Sequence, residues 1–356
     1  MFAKKIVAGA ALLAVAAVAH ADVKLYGSLD LSVGSYKAAG GKSTTQVSSG
    51  NMMTSFIGFS GSEDLGGGLK AEFALESFIA PDTGSTLSNN TNGFWGRGSN
   101  IALSGGFGKV ALGQYDNALF TYGYTYNPFG SSMYFSPTMR HYYGLGLGNN
   151  VRASTYGPAS TAVLHADTGF VNSLTYETPV YSGFAGSLQW SPKESTAPGA
   201  KDSFTIGGSY NAGPLSLAIA YASIGLGTSA KVTDANNVTT NTTSYGPAQK
   251  VTALGGSYDF GVAKAFAQYT SVNNKVGADD KVWQLGASVP VTAAGSVLVS
   301  YGQDKVSNNG GTDKIFSLGY DHNLSKRTDV YTVLSNEKAS KLKSGTTFAV
   351  GIKHAF

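Results

Sequence analysis

Taken every second residue, the segment 346–356 reads Phe348, Val350, Ile352, His354 and Phe356 on one face and Thr347, Ala349, Gly351, Lys353 and Ala355 on the other. A period of two is a β-strand. One face is apolar with aromatics at both ends and the other is small or cationic, the pattern of a strand with one face to lipid and its ends at the two interfaces. Near the other end of the chain, Val23, Leu25, Gly27, Leu29, Leu31 and Val33 alternate with Lys24, Tyr26, Ser28, Asp30, Ser32 and Gly34. Unpaired N–H and C=O groups cannot be satisfied in hydrocarbon, so each strand needs partners on both edges. Pairing the first strand with the last closes a barrel, and the strand ending on Phe356 is expected to seal it.

Between these two, alternation predicts strands over 52–62, 69–76, 94–104, 109–115, 170–178, 184–192, 203–211, 215–224, 250–260, 262–272, 281–291, 295–304, 313–321 and 328–337, sixteen in all. Short Gly-rich turns such as 63–68 and 105–108 alternate with long polar loops such as 37–50, 81–92 and 225–249. An even count with this rhythm puts both termini on the periplasmic side. Sixteen strands leave an aqueous lumen where eight would leave a filled interior. The expected fold is therefore all-β: a 16-stranded antiparallel transmembrane barrel forming a single domain over 22–356. A soluble β-sandwich would also alternate, but composition argues against it.

Only 13% of the residues are charged, where soluble domains average about 25%. Much of the surface is therefore expected to face something other than water. Residues 1–21 carry Lys4 and Lys5, an apolar run, and Ala19-His20-Ala21, which reads as a secretory signal cleaved after Ala21. No later apolar run is long enough for a transmembrane helix, which leaves the β-barrel as the membrane class. Setting aside Lys4 and Lys5 leaves 23 basic residues against 21 acidic ones, too balanced to suggest a nucleic-acid partner. The chain has no cysteine, so neither a disulfide framework nor thiol chemistry is available to it.

The stretch 116–169 is far longer than the other connections, and such loops are functional or disordered. Its many tyrosines and phenylalanines argue for burial against a barrel wall, so a third loop folded into the lumen is expected. From Asn117 to Ala166 it has no carboxylate, whereas Arg140 and Arg152 are present. Fixed guanidiniums in a constriction favour anions; the alternative is that either arginine staples the loop to the wall. Alternation alone projects Lys24, Asp30, Lys70, Glu72, Glu76 and Lys353 into the lumen. Arg97 shares parity with Ile101 and Leu103, which should face lipid, so a bulge at Gly96 or Gly98 is needed to turn it inward.

Catalytic and cofactor signatures are weak. The histidines have no metal spacing, nothing resembles a nucleophile elbow, and His322 or His354 would each supply only half of a catalytic constellation. Glu63-Asp64 reads as the solvated tip of a turn rather than a cation site. No enzyme activity and no cofactor are expected.

Leu25-Tyr26-Gly27 with Asp30, the run Gly61-Ser62-Glu63-Asp64-Leu65-Gly66-Gly67-Gly68-Leu69-Lys70-Ala71, the segment Leu324-Ser325-Lys326-Arg327-Thr328 with Tyr331, and the ending Gly351-Ile352-Lys353-His354-Ala355-Phe356 resemble the trimeric general-diffusion porins of β-proteobacterial and neisserial outer membranes. The resemblance runs over the whole chain after the leader. It implies a homotrimer in outer-membrane lipid, each copy passing small hydrophilic solutes and inorganic anions, with Phe356 read by the outer-membrane barrel assembly machinery. It also implies basic wall residues facing the third loop, and here the chain departs from the pattern: Phe56 stands at a position the family commonly gives to arginine, Gly113-Gln114 replaces Gly-Arg-Gln, and Arg97 keeps its place. The expected function is a diffusion channel of weak to moderate anion preference, with pore-constriction roles for Arg97, Arg140, Arg152 and Phe56. A solute-selective porin, or a closed barrel serving as adhesin or structural link, stands as the alternative.

Overall fold

The computed structural model describes residues 22–86, 93–142, 168–194, 200–225, 230–233, 239–242, 249–274, 278–307 and 310–356. The predicted leader and Arg152 lie outside them. Sixteen strands form the wall. They are β1 (Asp22–Tyr36), β2 (Phe56–Gly66), β3 (Leu69–Ala80), β4 (Gly98–Gly105), β5 (Gly108–Gln114), β6 (Ser173–Glu177), β7 (Phe184–Ser191) and β8 (Ser203–Ala212). The ring continues with β9 (Leu215–Ile224), β10 (Gln249–Asp259), β11 (Lys264–Asn274), β12 (Asp280–Pro290), β13 (Gly295–Val306), β14 (Gly311–Asn323), β15 (Thr328–Ala339) and β16 (Gly345–Ala355).

Each strand pairs antiparallel with its neighbours, and the ring closes between β1 and β16, from Ser28 opposite Ala355 to Ser35 opposite Phe348. The seam continues past the strand end, where the Phe356 amide donates to the Gly27 carbonyl at 3.1 Å and the Gly27 amide to the Phe356 carbonyl at 3.2 Å. Gly27 is required here, because a Cβ would stand 2.6 Å from the Phe356 ring. The alternation has its predicted sense: Phe348 and Val350 are 50% and 46% exposed on the outer face while Ala349 between them is fully buried.

Two boundaries differ from the sequence expectation. β2 starts at Phe56 rather than at residue 52, so the upper half of β1 would be left with an open edge. A short strand, Thr44–Ser49, inside the stretch read as loop, pairs with Leu31–Tyr36 and covers that edge. β4 starts at Gly98 rather than at residue 94, with Phe94 and Trp95 in a turn. Trp95 packs edge-on against Phe59, 6.1 Å between centroids.

Candidate functional site

The third loop enters the lumen as two helices the alternation reading missed. α1 (Ala118–Thr125) is capped by Asn117, whose side chain accepts from the Phe120 amide at 3.0 Å. α2 (Pro137–Tyr142) follows Ser136, whose hydroxyl accepts from the Met139 amide, with Pro137 at the first helical position. α1 lies against β8, β9 and β10, and α2 against β12, β13 and β14. Between them, Phe129 and Phe135 reach Tyr331 and Val333 of β15 and Ala349 of β16 in one buried cluster.

The wall under the loop is shaped to receive it. A Cβ at Gly207 would come within 2.5 Å of Ala118, and one at Gly286 within 2.6 Å of Pro128. At Gly255 it would strike the Tyr126 ring and at Gly302 the Pro137 ring. Glycines on four strands thus form sockets for four loop side chains, a close approach that any larger residue forbids. The same wall is acidic: Asp280, Asp304, Asp313 and Glu337 are all buried. Arg140, 4% exposed, donates to Glu337 Oε2 at 3.0 Å and to the Tyr134 carbonyl at 3.2 Å, with its guanidinium 4.7 Å from the Tyr134 ring. Burial works against its charge, and the fields of Glu337, Tyr134 and Asp313 with the Glu337 hydrogen bond together more than offset this, so its pKa is raised above the ordinary arginine range. Arg140 is therefore an anchor of the loop; the expectation that it lines the open path is corrected by this pairing.

The opposite wall, β1 to β6, is left open. A cavity of about 680 Å³ runs along it, bounded on the loop side by Thr121 and Tyr124 of α1. Its charged lining comprises Lys24, Lys70, Arg97 and Lys109 against Asp22, Glu72, Glu76, Asp116 and Glu177. Arg97 faces this cavity without the bulge that alternation required: it sits in the bend before β4, where its amide donates to the Glu76 carbonyl at 3.2 Å and strand parity does not apply. Its guanidinium is paired with the Glu76 carboxylate and stacks 4.0 Å over the Phe56 ring. Tyr26 donates to the other Glu76 oxygen at 2.5 Å. Phe56 is itself buried, so it is the floor beneath Arg97 rather than a constricting side chain. Lys109, which strand reading did not single out, pairs with Glu72 at 2.6 Å. Its signal was available, since it shares parity with the inward Ala111.

Two further residues read as lumen charges are bound into the wall. Asp30 is fully buried and accepts from the Met52 and Met53 amides at 2.6 and 3.0 Å and from the Tyr331 hydroxyl at 2.7 Å. It clamps the segment before β2, and its field is spent there. Lys353 sits across from both Asp30 and Asp329 and pairs with Asp329 at 3.2 Å. His322 and His354 bond to Tyr320 and Thr328 hydroxyls, at 3.1 and 2.8 Å.

Comparison with known proteins points one way. The model of the family described as Gram-negative porin matches residues 8–342. Outer membrane porin protein 32 of Delftia acidovorans is 34% identical over 96% of this chain and 96% of its own length. Major outer membrane protein P.IB of Neisseria lactamica is 29% identical over 99% of this chain and 100% of its own. Among solved structures, one titled anion-selective porin from Comamonas acidovorans aligns over 95% of this chain and 100% of its own, at 28% identity and a TM-score of 0.74.

Proposed function

Because the chain belongs to the Gram-negative porin family, matched over residues 8–342, we propose that this outer-membrane channel passes small hydrophilic solutes and inorganic ions with a weak to moderate preference for anions, as a homotrimer. The observation that carries the reading is the open wall: the third loop is docked on one side of the lumen and leaves a charged, water-accessible cavity on the other. A closed barrel serving only as adhesin or link would not need it. The preference for anions is supported by the carboxylate-free sequence of the loop from Asn117 to Ala166 and by the likeness to a porin titled anion-selective. It is held to weak or moderate because Arg140 is used in docking and the described lining carries nearly as many cations as carboxylates.

Three copies are supported by the outer surface. Trp190, Phe204, Tyr221, Tyr269, Trp283, Tyr301 and Phe316 lie on the outward faces of seven strands from β7 to β14, the belt expected at a lipid–water interface. β1, β4 and β5 present Val23, Leu25, Val33, Ile101, Leu103 and Leu112 instead. These aliphatic faces, with Phe59 of β2 set among them, suit contact with a neighbouring copy. In this reading residues 1–21 are removed on export, and Phe356, at the seam, is the signal for the barrel assembly machinery. The test uses protein purified as its unboiled oligomer and placed in a planar bilayer under a dilute KCl gradient. A heat-dissociable trimer whose zero-current potential shows chloride favoured modestly over potassium is expected; a non-conducting species, or one that favours potassium, overturns the reading.

A further inference from the structure

On the β3 wall the inward residues, counted from the short-turn end, are Lys70, Glu72, Ala74 and Glu76. Glu72 is neutralised by Lys109 and Glu76 by Arg97. At the level between them, Ala74 lies opposite Ser60 of β2, which lies opposite Lys24 of β1. Climbing the wall, an ion therefore meets Lys70, then a neutral pair, then Lys24, then a second neutral pair. Lys24 and Lys70 are exposed to the cavity and, among the described residues, make no ion pair. Each arginine described in the lumen has one. On the loop side α1 offers Thr121 and Tyr124, which carry no charge at neutral pH, and the one charged lining residue described there is Asp116 ahead of the helix.

From this we infer that the anion preference is set by Lys24 and Lys70 on the wall, not by the arginines at the loop. The inference rests on the anion-preferring reading above. A guanidinium held against a carboxylate presents a dipole whose field falls off quickly, whereas an unpaired ammonium presents a full charge. Among the described residues no carboxylate forms an ion pair with either lysine: Asp22 shares the face of Lys24 two residues away, Asp64 across from Lys70 accepts from the Gly66 amide, Glu72 beside Lys70 is held by Lys109, Glu177 is across from Lys109 and accepts from Tyr115, and Asp116 lies beyond β5 beside α1. Lys24 stands level with Ala74, four residues above Lys70, a rise of about 13 Å along the strand. That span is too wide for both ammoniums to hold one small anion. They act in succession as hydrated point charges without the fork that reads anion shape. The favoured solutes are then small anions as a class, chloride and short carboxylates alike, passing without saturable binding.

The experiment compares three trimers in planar bilayers under a dilute KCl gradient: wild type, Lys24→Gln with Lys70→Gln, and a control, Lys326→Gln with Arg327→Gln. The control makes the same formal charge change in the exposed turn between β14 and β15. The chloride-to-potassium permeability ratio should fall about two-fold or more in the lumen variant and stay near the wild-type value in the control. The difference should vanish near 1 M salt, where the screening length is about 3 Å. If the wild type favours chloride and the lumen variant keeps its ratio, or if the control shifts as far, the assignment to these lysines is overturned while the anion-preferring reading stands. If the wild type itself favours potassium, the earlier reading has failed instead. Lys24→Glu with Lys70→Glu, reconstituted in the same way, must move the potential further in the same direction, and a smaller shift than the glutamine variant also overturns the assignment.

Discussion

The two halves of the lumen use the same residue types to opposite ends. On the β8 to β15 side, glycine sockets and buried carboxylates receive a loop whose arginine is consumed in holding it. On the β1 to β6 side, the carboxylates are spread among lysines and Arg97 along an open, wetted path. The loop is basic in sequence, yet Arg140, its cation among the described residues, does not reach the path. A cation count along the loop therefore misjudges the ion preference; what matters is which cations keep a full charge after the fold has paired them.

The largest expected effect comes from breaking the docked side. Arg140→Leu removes the buried partner of Glu337, 5% exposed by its side chain, and leaves that carboxylate in a low-dielectric site without its guanidinium. Losing one member of a buried pair costs about 3–5 kcal/mol. A lower thermal dissociation midpoint and noisy, multi-level single-channel currents should follow as the loop works loose. A quiet channel with an unchanged midpoint would mean that Glu337 does not anchor the loop.

Filling a socket is the next largest change. Gly302→Val sets a branched side chain against the Pro137 ring at the start of α2, and overpacking of this kind costs about 1–3 kcal/mol. The loop should shift toward the open wall or away from its seat, so single-channel conductance should change while the barrel still forms. An equal substitution at Gly213, in a turn where nothing lies within 4 Å of a Cβ but φ is +54°, tests strain without a socket and should leave conductance alone.

How far the sequence could be read follows from the range over which each feature is decided. Strand alternation is local, so the sealing of β1 by β16 and the inward set of Lys24, Lys70, Glu72 and Glu76 were legible residue by residue. The helices were local too, and Asn117 before Ala-Leu-Phe and Ser136 before Pro137 are start signals that a period-two reading passed over. The partners of the charges were not legible. Arg140 and Glu337 are 197 residues apart, and only the closed ring brings them together. Asp30 reads as a pore charge by parity but is claimed by Met52, Met53 and Tyr331, because β2 begins later than its apolar pattern suggests.

The smallest effect is expected from the open wall's own pair, and it sharpens the contrast most. Replacing Arg97 and Glu76 together by glutamine removes a cation and a carboxylate that already cancel. Both members of the ion pair go together, whereas in the Arg140 variant Glu337 loses its guanidinium. The side chains are 15% and 14% exposed and face water in the lumen. The loss of the pair and of the stack on Phe56 should therefore cost only about 1 kcal/mol. The zero-current potential should stay close to that of the wild type, because a neutral pair has been exchanged for a neutral pair. Arg97→Gln alone should behave differently, since it frees Glu76, still bonded to Tyr26, to act as a full negative charge on the path. That single variant should move the potential toward cation preference, and adding Glu76→Gln should bring it back. If the double variant shifts as far as the single one, Arg97 acts on passing ions as an unpaired charge, and the division between a docked, self-neutralised wall and an open, lysine-biased one does not hold.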